Sequence, residues 1–513
     1  MNELPRRKLL EIVAKHGHAV IDKPRRLEGL LRDYCGGFRR EISVLVMAVE
    51  EHAVSDLLAA SASLPRKVLL ARLAGRLCDN LGLSETAAVW AIDSWALALG
   101  IISDAEISQA VSVQETNTGI AQKGKVAVPT HSSGSTATVS VIQSKSPASI
   151  LVVSASGNGD FNSIGEALRH AVPNSRLLVR EGLYDEGVVI NKNVEIIGEG
   201  DSKNIVVRSM AASPVVMRGD KALIRGLTLQ GRGGQYGNAF FAVDILQGEL
   251  SLENCDITSD SLSGIAVYGA DSNPLIKNCS VHDCADSGIY IFDNARARIE
   301  DCEIYRSANV SVAVTQGALP ALKNCSIFDG ANGGIVIWGN GAAGTIESCR
   351  IYGHRLSNVG VREHANPTFR RCEIFGGLDT GVFVHQNGYG VFEECDIYKN
   401  AKAEVGISNN ANSVFRWCTI HNGKNSGIIL QNQGRASIEN CNIYDNLDAG
   451  VALYGESEAI IEGCDINRNR KVAIRIKEQS AARVENCNLR GNFLATWETE
   501  HGIVLEENSN QEG

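Results

Sequence analysis

Between residues 255 and 487 a cysteine returns at a near-constant interval: Cys255, Cys279, Cys302, Cys325, Cys349, Cys372, Cys395, Cys418, Cys441, Cys464 and Cys487, in steps of 23 or 24 residues. Self-similarity at such a period marks stacked structural repeats, so one unit has to account for all eleven positions. Three residues before each cysteine stands a large apolar residue, from Leu252, Ile276 and Ile299 through to Val484, and two residues after it stands another, from Ile257, Val281 and Ile304 to Leu489. A second apolar alternation begins nine residues past the cysteine, often at a glycine such as Gly264, Gly334 or Gly381, and contains Ile265/Val267, Val382/Val384 and Ile474/Ile476. Alternation over a few residues rich in β-branched side chains spells short, half-buried strands. Short strands that each pair with the same strand one repeat later form a parallel β-helix with rungs about 4.8 Å apart.

The outward column two residues before the cysteine tests this reading independently. It runs Glu253, Lys277, Glu300, Lys323, Glu347, Arg370, Glu393, Arg416, Glu439, with the sign alternating at every rung. Stacked opposite charges attract and a one-rung slip would oppose like charges, so the column favours one register.

Phrases such as "GVFVHQNGYGVFEECDIYKNA" and "GIILQNQGRASIENCNIYDNLDAGVAL" resemble the right-handed β-helix repeats of carbohydrate-binding proteins and sugar hydrolases (CASH), and especially the β-helix of F-box-type ubiquitin-ligase substrate receptors. The resemblance covers residues 250–490. It implies a right-handed single-stranded parallel β-helix of roughly 13 to 15 coils, a fold that enzymes and pure binding proteins share. The stretch "ILVVSASGNGDFNSIGEALRHAVPNSRLLVREGLYDEGVVINKNVEIIGEG" is similar to the first coil of pectin methylesterases, where a helix, here at Ser163–His170, caps the open core.

Four units are read along the chain: a helical bundle over 1–104, a Ser/Thr/Gly-rich linker over 105–147, the β-helix over 148–492, and a C-terminal cap with an acidic tail over 493–513. The fold class is thus mainly β, preceded by a small all-α domain. In the first unit "RRLEGLLRDYC", "FRREISVLVMAVEEHAVSDLLAAS", "PRKVLLARLAGRLCDNLG" and "SETAAVWAIDSWALALG" place apolar residues at helical spacing. Trp90 and Trp95 on the last of these serve core packing or a partner groove. "LLRDYCGGFRREISVLV" and "WAIDSWALALG" resemble a helical module of bacterial multidomain signalling proteins, which implies recruitment of a second partner and no catalysis. The linker has the composition of a flexible tether. After Cys487 the period fails; Phe493 and Trp497 are placed to cover the last rung, ahead of a disordered acidic tail.

The repeated cysteines read as small buried apolar residues at a strand bend. With Cys35, Cys78 and Cys284 they offer no zinc-type spacing, and no metal or cofactor is expected. The N-terminus has no signal-peptide core and no stretch of 18 apolar residues exists, so with free thiols a cytoplasmic protein is expected. Residues 1–104 carry 14 basic and 13 acidic side chains, leaving 35 and 46, a net −11, on the remainder. That balance is wrong for a nucleic-acid partner, and none is expected.

The catalytic signatures that the resemblance would bring are missing. The QD and DFIFG-type signatures of pectin methylesterases, the GHG of polygalacturonases and the DPHE of alginate epimerases do not occur after residue 250. "RIK" occurs once, at Arg475–Lys477, with Ile476 in the apolar alternation. No catalytic residue is assigned. What does project outward, eleven and thirteen residues past the cysteine, is aromatic or basic: Tyr268, Tyr290, Phe292, Trp338, Arg362, Phe383, His385 and Tyr454. An aromatic stripe on an exposed sheet face marks a binding surface, unless a loop or the bundle folds over it. A second column, Tyr305, Phe328, Tyr352, Phe375, Tyr398, His421 and Tyr444, reads as a structural spine of stacked rings. Arg362, Glu363 and His364 form the one cluster with acid/base potential or, equally, a solvated turn.

Two functions follow. The first is a non-catalytic adaptor whose aromatic face takes a protein or glycan while the helical module recruits a second partner. The second is a carbohydrate-active hydrolase, lyase or epimerase with a site near Arg362, His385 or the loops of residues 200–250. The sequence leaves the oligomeric state open.

Overall fold

The structure, a computed structural model, describes residues 3–16, 24–50, 85–102, 149–233, 239–500 and 505–512, with isolated residues between 53 and 77. The chain divides into two compact units, 1–146 and 147–513. The linker and most of "PRKVLLARLAGRLCDNLG" and "QGRGGQYGN" fall outside the described residues.

The first unit contains helices α1 (Glu3–His16), α2 (Pro24–Cys35), α3 (Arg39–Glu50) and α4 (Glu85–Ala98). Leu9, Leu27, Leu31, Leu45 and Ile92 are buried in one core. Both tryptophans of α4 belong to that core, and Trp95 Nε1 donates to Leu45 O at 3.0 Å. Of the two uses expected for them, packing is the one found.

The second unit is a coil of short strands in three parallel sheets of 16, 13 and 14 strands, here A, B and C in the order in which each coil visits them. One coil shows the plan. Tyr389–Glu393 lies in sheet A, Asp396–Tyr398 in B and Val405–Ser408 in C. The apolar run read from sequence around each cysteine is therefore two strands rather than one. It is broken by a left-handed residue just before the cysteine, such as Asn254, Asn278, Asp301 or Glu394, with φ between 51 and 54°. A single αL residue turns the chain sharply at small cost when it is Asn or Asp, and the chain rounds a corner there.

Register follows the period. Phe369, Phe392 and Phe415 pair in A, Ile374, Ile397 and Ile420 in B, and Val382, Val405 and Ile428 in C. Inward residues of all three sheets form one continuous apolar core. The thirteen described cysteines are free and buried. Cys279 shows their role at the corner: its Sγ contacts Lys277 O at 3.3 Å and Leu252 O of the previous rung at 3.5 Å.

Between B and C the interior is polar. His354 Nδ1 bonds Asn358 Oδ1 at 2.9 Å, Asn358 Nδ2 donates to Asn400 Oδ1 at 2.9 Å, and Asn400 donates to the buried Glu404 carboxylate. Such space exists because neighbouring rungs carry glycine: a Cβ on Gly377 would lie 2.8 Å from Asn358 Nδ2, and one on Gly423 2.8 Å from Glu404 Oε1. Further on, Asn446, Asn469 and Asn492 hand one amide bond to the next.

The two ends differ. At the N-terminal end α5 (Ile164–His170) lays Ile164, Ala167 and Leu168 on the core. Ser163 caps it, the Glu186 carboxylate accepts from Ile164 N at 2.7 Å and Gly165 N at 2.8 Å, and Lys192 Nζ donates to Leu168 O and Ala171 O. The free amides of its first turn and the carbonyls of Leu168 and Ala171 thereby find partners. At the other end the coil runs on into the residues read as cap and tail. Ala495–Thr499 joins sheet C and Leu505–Asn508 joins sheet A, with Trp497 packed against the core, while Phe493, expected beside it over the last rung, is exposed. The acidic composition of this segment hid strands whose partners are supplied by the preceding rung.

The alternating column forms ion pairs: Lys277–Glu300 at 3.2 Å, Arg370–Glu393 at 2.6 Å and Arg416–Glu439 at 2.9 Å. These pairs are partly solvated, so Arg370→Gln is expected to lower stability only slightly, and by less still in high salt. Urea unfolding at two ionic strengths checks it; a large loss, insensitive to salt, would contradict a screened surface pair.

Candidate functional site

Alternation along the strands of sheet C decides which side chains reach its outer surface. In Ile335–Trp338, Ile335 and Ile337 are fully buried in the core while Val336 and Trp338 face outward. The same parity brings out Tyr268, Tyr290, Phe292, Arg362, Phe383 and His385. All are half-buried except Phe292, which is buried beneath its neighbours.

Small residues make room for the rings. Tyr290 pairs with Ala266 on one side and Ala313 on the other, and Phe383 with Gly360 and Gly406. A Cβ on Gly406 would stand 3.1 Å from the Phe383 ring, so that ring lies across the glycine. Freed to lean, the rings stack: Tyr268 on Phe292 with centroids 4.9 Å apart, Tyr290 on Phe292 at 4.5 Å, and Tyr290 near Trp338 at 6.5 Å. Phe383 and His385 form a second island at 4.5 Å. The Arg362 guanidinium lies 5.6 Å from the Trp338 ring centre, a cation–π contact between the islands, and is paired with Glu363 at 3.1 Å. Burial and then the Arg362 charge push His385 down to about 4, so its ring is neutral at neutral pH.

Seven of the eight residues singled out in the sequence are thus gathered on one face. Tyr454 shares the outer face of sheet C but stands apart from them. It sits three rungs beyond His385, roughly 15 Å along the axis, over Ile429 and Ala452, with its hydroxyl 3.3 Å from Arg475 Nη1. Arg475 is buried there in a bidentate pair with Asp448, at 2.6 and 3.0 Å, and a further bond to Glu498 at 2.6 Å. The "RIK" tripeptide thereby contributes to an ion cluster on the sheet surface. Glu363 and His364 of the acid/base candidate occupy a left-handed turn with φ of 57 and 64°.

Sequence reasoning missed Asp244. It is an outward residue of Val243–Ile245, one rung before Tyr268, with a buried Oδ1 that has no hydrogen-bond partner. Burial pushes its carboxyl up to about 6, against Tyr268 and Arg218. The alternation Val243-Asp244-Ile245 was legible, but the cysteine that keys the period is absent from that coil.

The second aromatic column is a spine on sheet B. Including His282 it holds eight rings, each 4.8–5.1 Å from the next with interplanar angles of 3–13°. Among the described residues no cluster suited to a metal ion occurs, and no helix is long and apolar enough to cross a membrane.

A family model described as a right-handed β-helix region matches residues 215–366 and 357–511. The chain is 32% identical over 166 residues to F-box protein dre-1 of Caenorhabditis elegans, covering 26% of this chain and 17% of that one. It is 29% identical over 181 residues to the probable pectinesterase/pectinesterase inhibitor 17 of Arabidopsis thaliana, covering 32% and 34%. The chain therefore spans about a third or less of the length of either relative. Among solved structures it is similar to the catalytic domain of a GH87 α-1,3-glucanase, with a TM-score of 0.45, 13% identity and coverage of 75% and 71%. It is also similar to the A-module of mannuronan C-5 epimerase AlgE6 of Azotobacter vinelandii, with a TM-score of 0.39, 14% identity and coverage of 68% and 94%. With the match running through more than half of the chain, and with three parallel sheets wound in one coil, the protein belongs to the right-handed β-helix family.

Proposed function

We propose that the chain binds a carbohydrate polymer along the outer face of sheet C, with Tyr290, Trp338, Arg362, Phe383 and His385 as the platform. The observation that carries this reading is the run of half-buried ring faces and one guanidinium on a single flat surface. Flat rings take the C–H faces of sugars, and a platform stepped at about 4.8 Å per rung suits an extended chain of similar repeat. The pectinesterase relative, named for an activity on a polysaccharide ester, supports the ligand class. The half-buried Asp244 beside Tyr268 puts one titratable carboxyl at the end of this face, where an enzyme of this class would need an acid or base.

A protein ligand on the same face is the second reading, favoured by the separate helical unit and by the F-box relative. In that case the β-helix holds one partner and the helical unit another.

One experiment separates them. Trp338→Ala and Phe383→Ala should each weaken retention of the full chain on polysaccharide affinity gels by about tenfold, as expected of a lost hot-spot ring, with an unchanged melting temperature. Undiminished retention in both variants would remove the face from the binding site. Protein capture lost in the same variants, without any sugar retention, would select the second reading.

A further inference from the structure

Beyond His385 the outer face of sheet C carries, among the described residues, one ring, Tyr454, and the turns that lead from C back to A take over. Each of these turns places two consecutive residues in the left-handed region: Gln386 and Asn387, Asn409 and Asn410, Asn432 and Gln433, Glu478 and Gln479, with φ of 50–64°. Successive turns hydrogen-bond along the axis, Asn410 N to Asn432 O at 3.3 Å, Gln433 N to Gly455 O at 2.7 Å and Glu456 N to Glu478 O at 2.9 Å. One backbone N–H and one carbonyl of each turn are consumed by this ladder, and the side chains are turned out in two parallel columns.

At Gly455 one of these columns lacks its side chain. Between Asn432 and Glu478, 23 residues to either side, this leaves a groove of about 580 Å³ walled by Asn409, Asn410, Asn432, Gln433, Glu456 and Gln479 with Glu478 at its end. Two internal bonds hold the walls, Asn432 Nδ2 to Asn409 Oδ1 at 3.3 Å and Gln433 Nε2 to Glu456 Oε2 at 2.9 Å. Five amides and two carboxylates line the groove. Lys477, adjacent in sequence, is tied to Glu498 at 2.8 Å.

Amides donate and accept at once, which matches hydroxyl groups, whereas carboxylates accept only and repel anions. A groove lined by amides, with one carboxylate in its wall and one at its end, therefore selects an uncharged, hydroxyl-rich ligand over a uronate or a phosphate. It begins at the turn of the coil that follows His385, at the corner where sheet C ends, so one extended ligand running from the sheet over that corner would cross both. We propose that this groove binds the uncharged sugar units of a neutral polysaccharide whose other units lie on the Trp338–His385 platform. The assignment rests on the carbohydrate reading of that platform and adds the polarity of the ligand and a second subsite.

The test uses the full chain in calorimetric titrations with cellohexaose, laminarihexaose and maltohexaose as uncharged probes and hexagalacturonate as the anionic one. At least one uncharged probe should bind about tenfold more tightly than hexagalacturonate. Asn432→Gly combined with Gln479→Gly keeps the left-handed turns and removes two amides; it should weaken that probe about fivefold or more with an unchanged melting temperature, while a trisaccharide is affected less. Equal or tighter binding of hexagalacturonate overturns the proposal, as does an unaltered affinity in the double variant or a groove that takes up Ca2+ and excludes the sugar. Loss of binding in Trp338→Ala but not in the double variant removes the groove and leaves the platform standing. Retention of none of the probes removes both.

Discussion

Replacing Phe392 by alanine is expected to destabilise the β-helix by about 3–5 kcal/mol, the range for a fully buried ring. Phe392 is fully buried in the middle of a three-ring stack inside sheet A, 5.1 Å from Phe369 and 4.8 Å from Phe415. Its ring edge also lies over Gly390, where an added Cβ would approach within 3.0 Å. The void cannot close by sliding of the neighbours, because Phe369 and Phe415 are held in register by backbone bonds to the mutated strand. A stack of rungs answers to nearest-neighbour contacts, so the damage should be local and the unfolding transition should broaden as the coils on either side melt separately. Phe392→Leu, which refills most of the volume, should cost less than about 1.5 kcal/mol. Urea unfolding followed by circular dichroism checks both, and a loss under about 1 kcal/mol in the alanine variant would mean that the stack is not a core element.

The second large effect concerns pH. Glu404 is fully buried and bonded to Asn400 N at 3.0 Å and to its side-chain amide, and burial pushes its carboxyl up to about 7 from an ordinary 4.5. The charges nearest to it, His421 and Asp396, act in opposite directions and are lesser causes. A carboxyl whose folded pKa exceeds its unfolded one binds its proton more tightly when folded. Its stabilising contribution is therefore complete below about pH 4.5, falls between pH 4.5 and 7, and is absent above. A displacement of that size corresponds to as much as about 3 kcal/mol, since each pH unit is worth about 1.4 kcal/mol. His354, held down to about 4 by burial, works in the other sense and loses stability as pH falls from 6.5 to 4. The quantity to measure is thus the difference between the wild type and Glu404→Gln. The variant should gain on the wild type steadily from pH 4.5 to 7, and a difference that stays flat over that range would rule out a titrating Glu404.

Much of this architecture was legible because a repeat states its rules many times. The cysteine period, the flanking apolar positions and the alternating charge column each recur in register in the folded coil, where Arg370 meets Glu393 and Arg416 meets Glu439. The outer parity of sheet C was legible for the same reason, and it placed Tyr268 through His385 on one face. Asp244 was not legible, since its coil lacks the marker cysteine. The polar ladder of His354, Asn358, Asn400 and Glu404 could have been suspected from the alternation of large polar residues with Gly330, Gly377 and Gly423, which no rule of helix or strand periodicity picks up.

The sequence by itself determined the repeat, its strands, the inward and outward columns and the register that joins one coil to the next, because each of these is local or recurs at a constant interval. Tertiary structure decided three matters. The run through each cysteine became two strands in two sheets, because a left-handed residue turns the corner. Residues 495–499 and 505–508 became strands, because the preceding rung offers unpaired backbone groups that an acidic segment can satisfy. The third was which outward side chains touch. Tyr290 reaches Trp338 across two rungs only because Ala313 is small, and Tyr454 turns to Arg475 instead, since contact depends on neighbours one coil away that no single window of sequence contains.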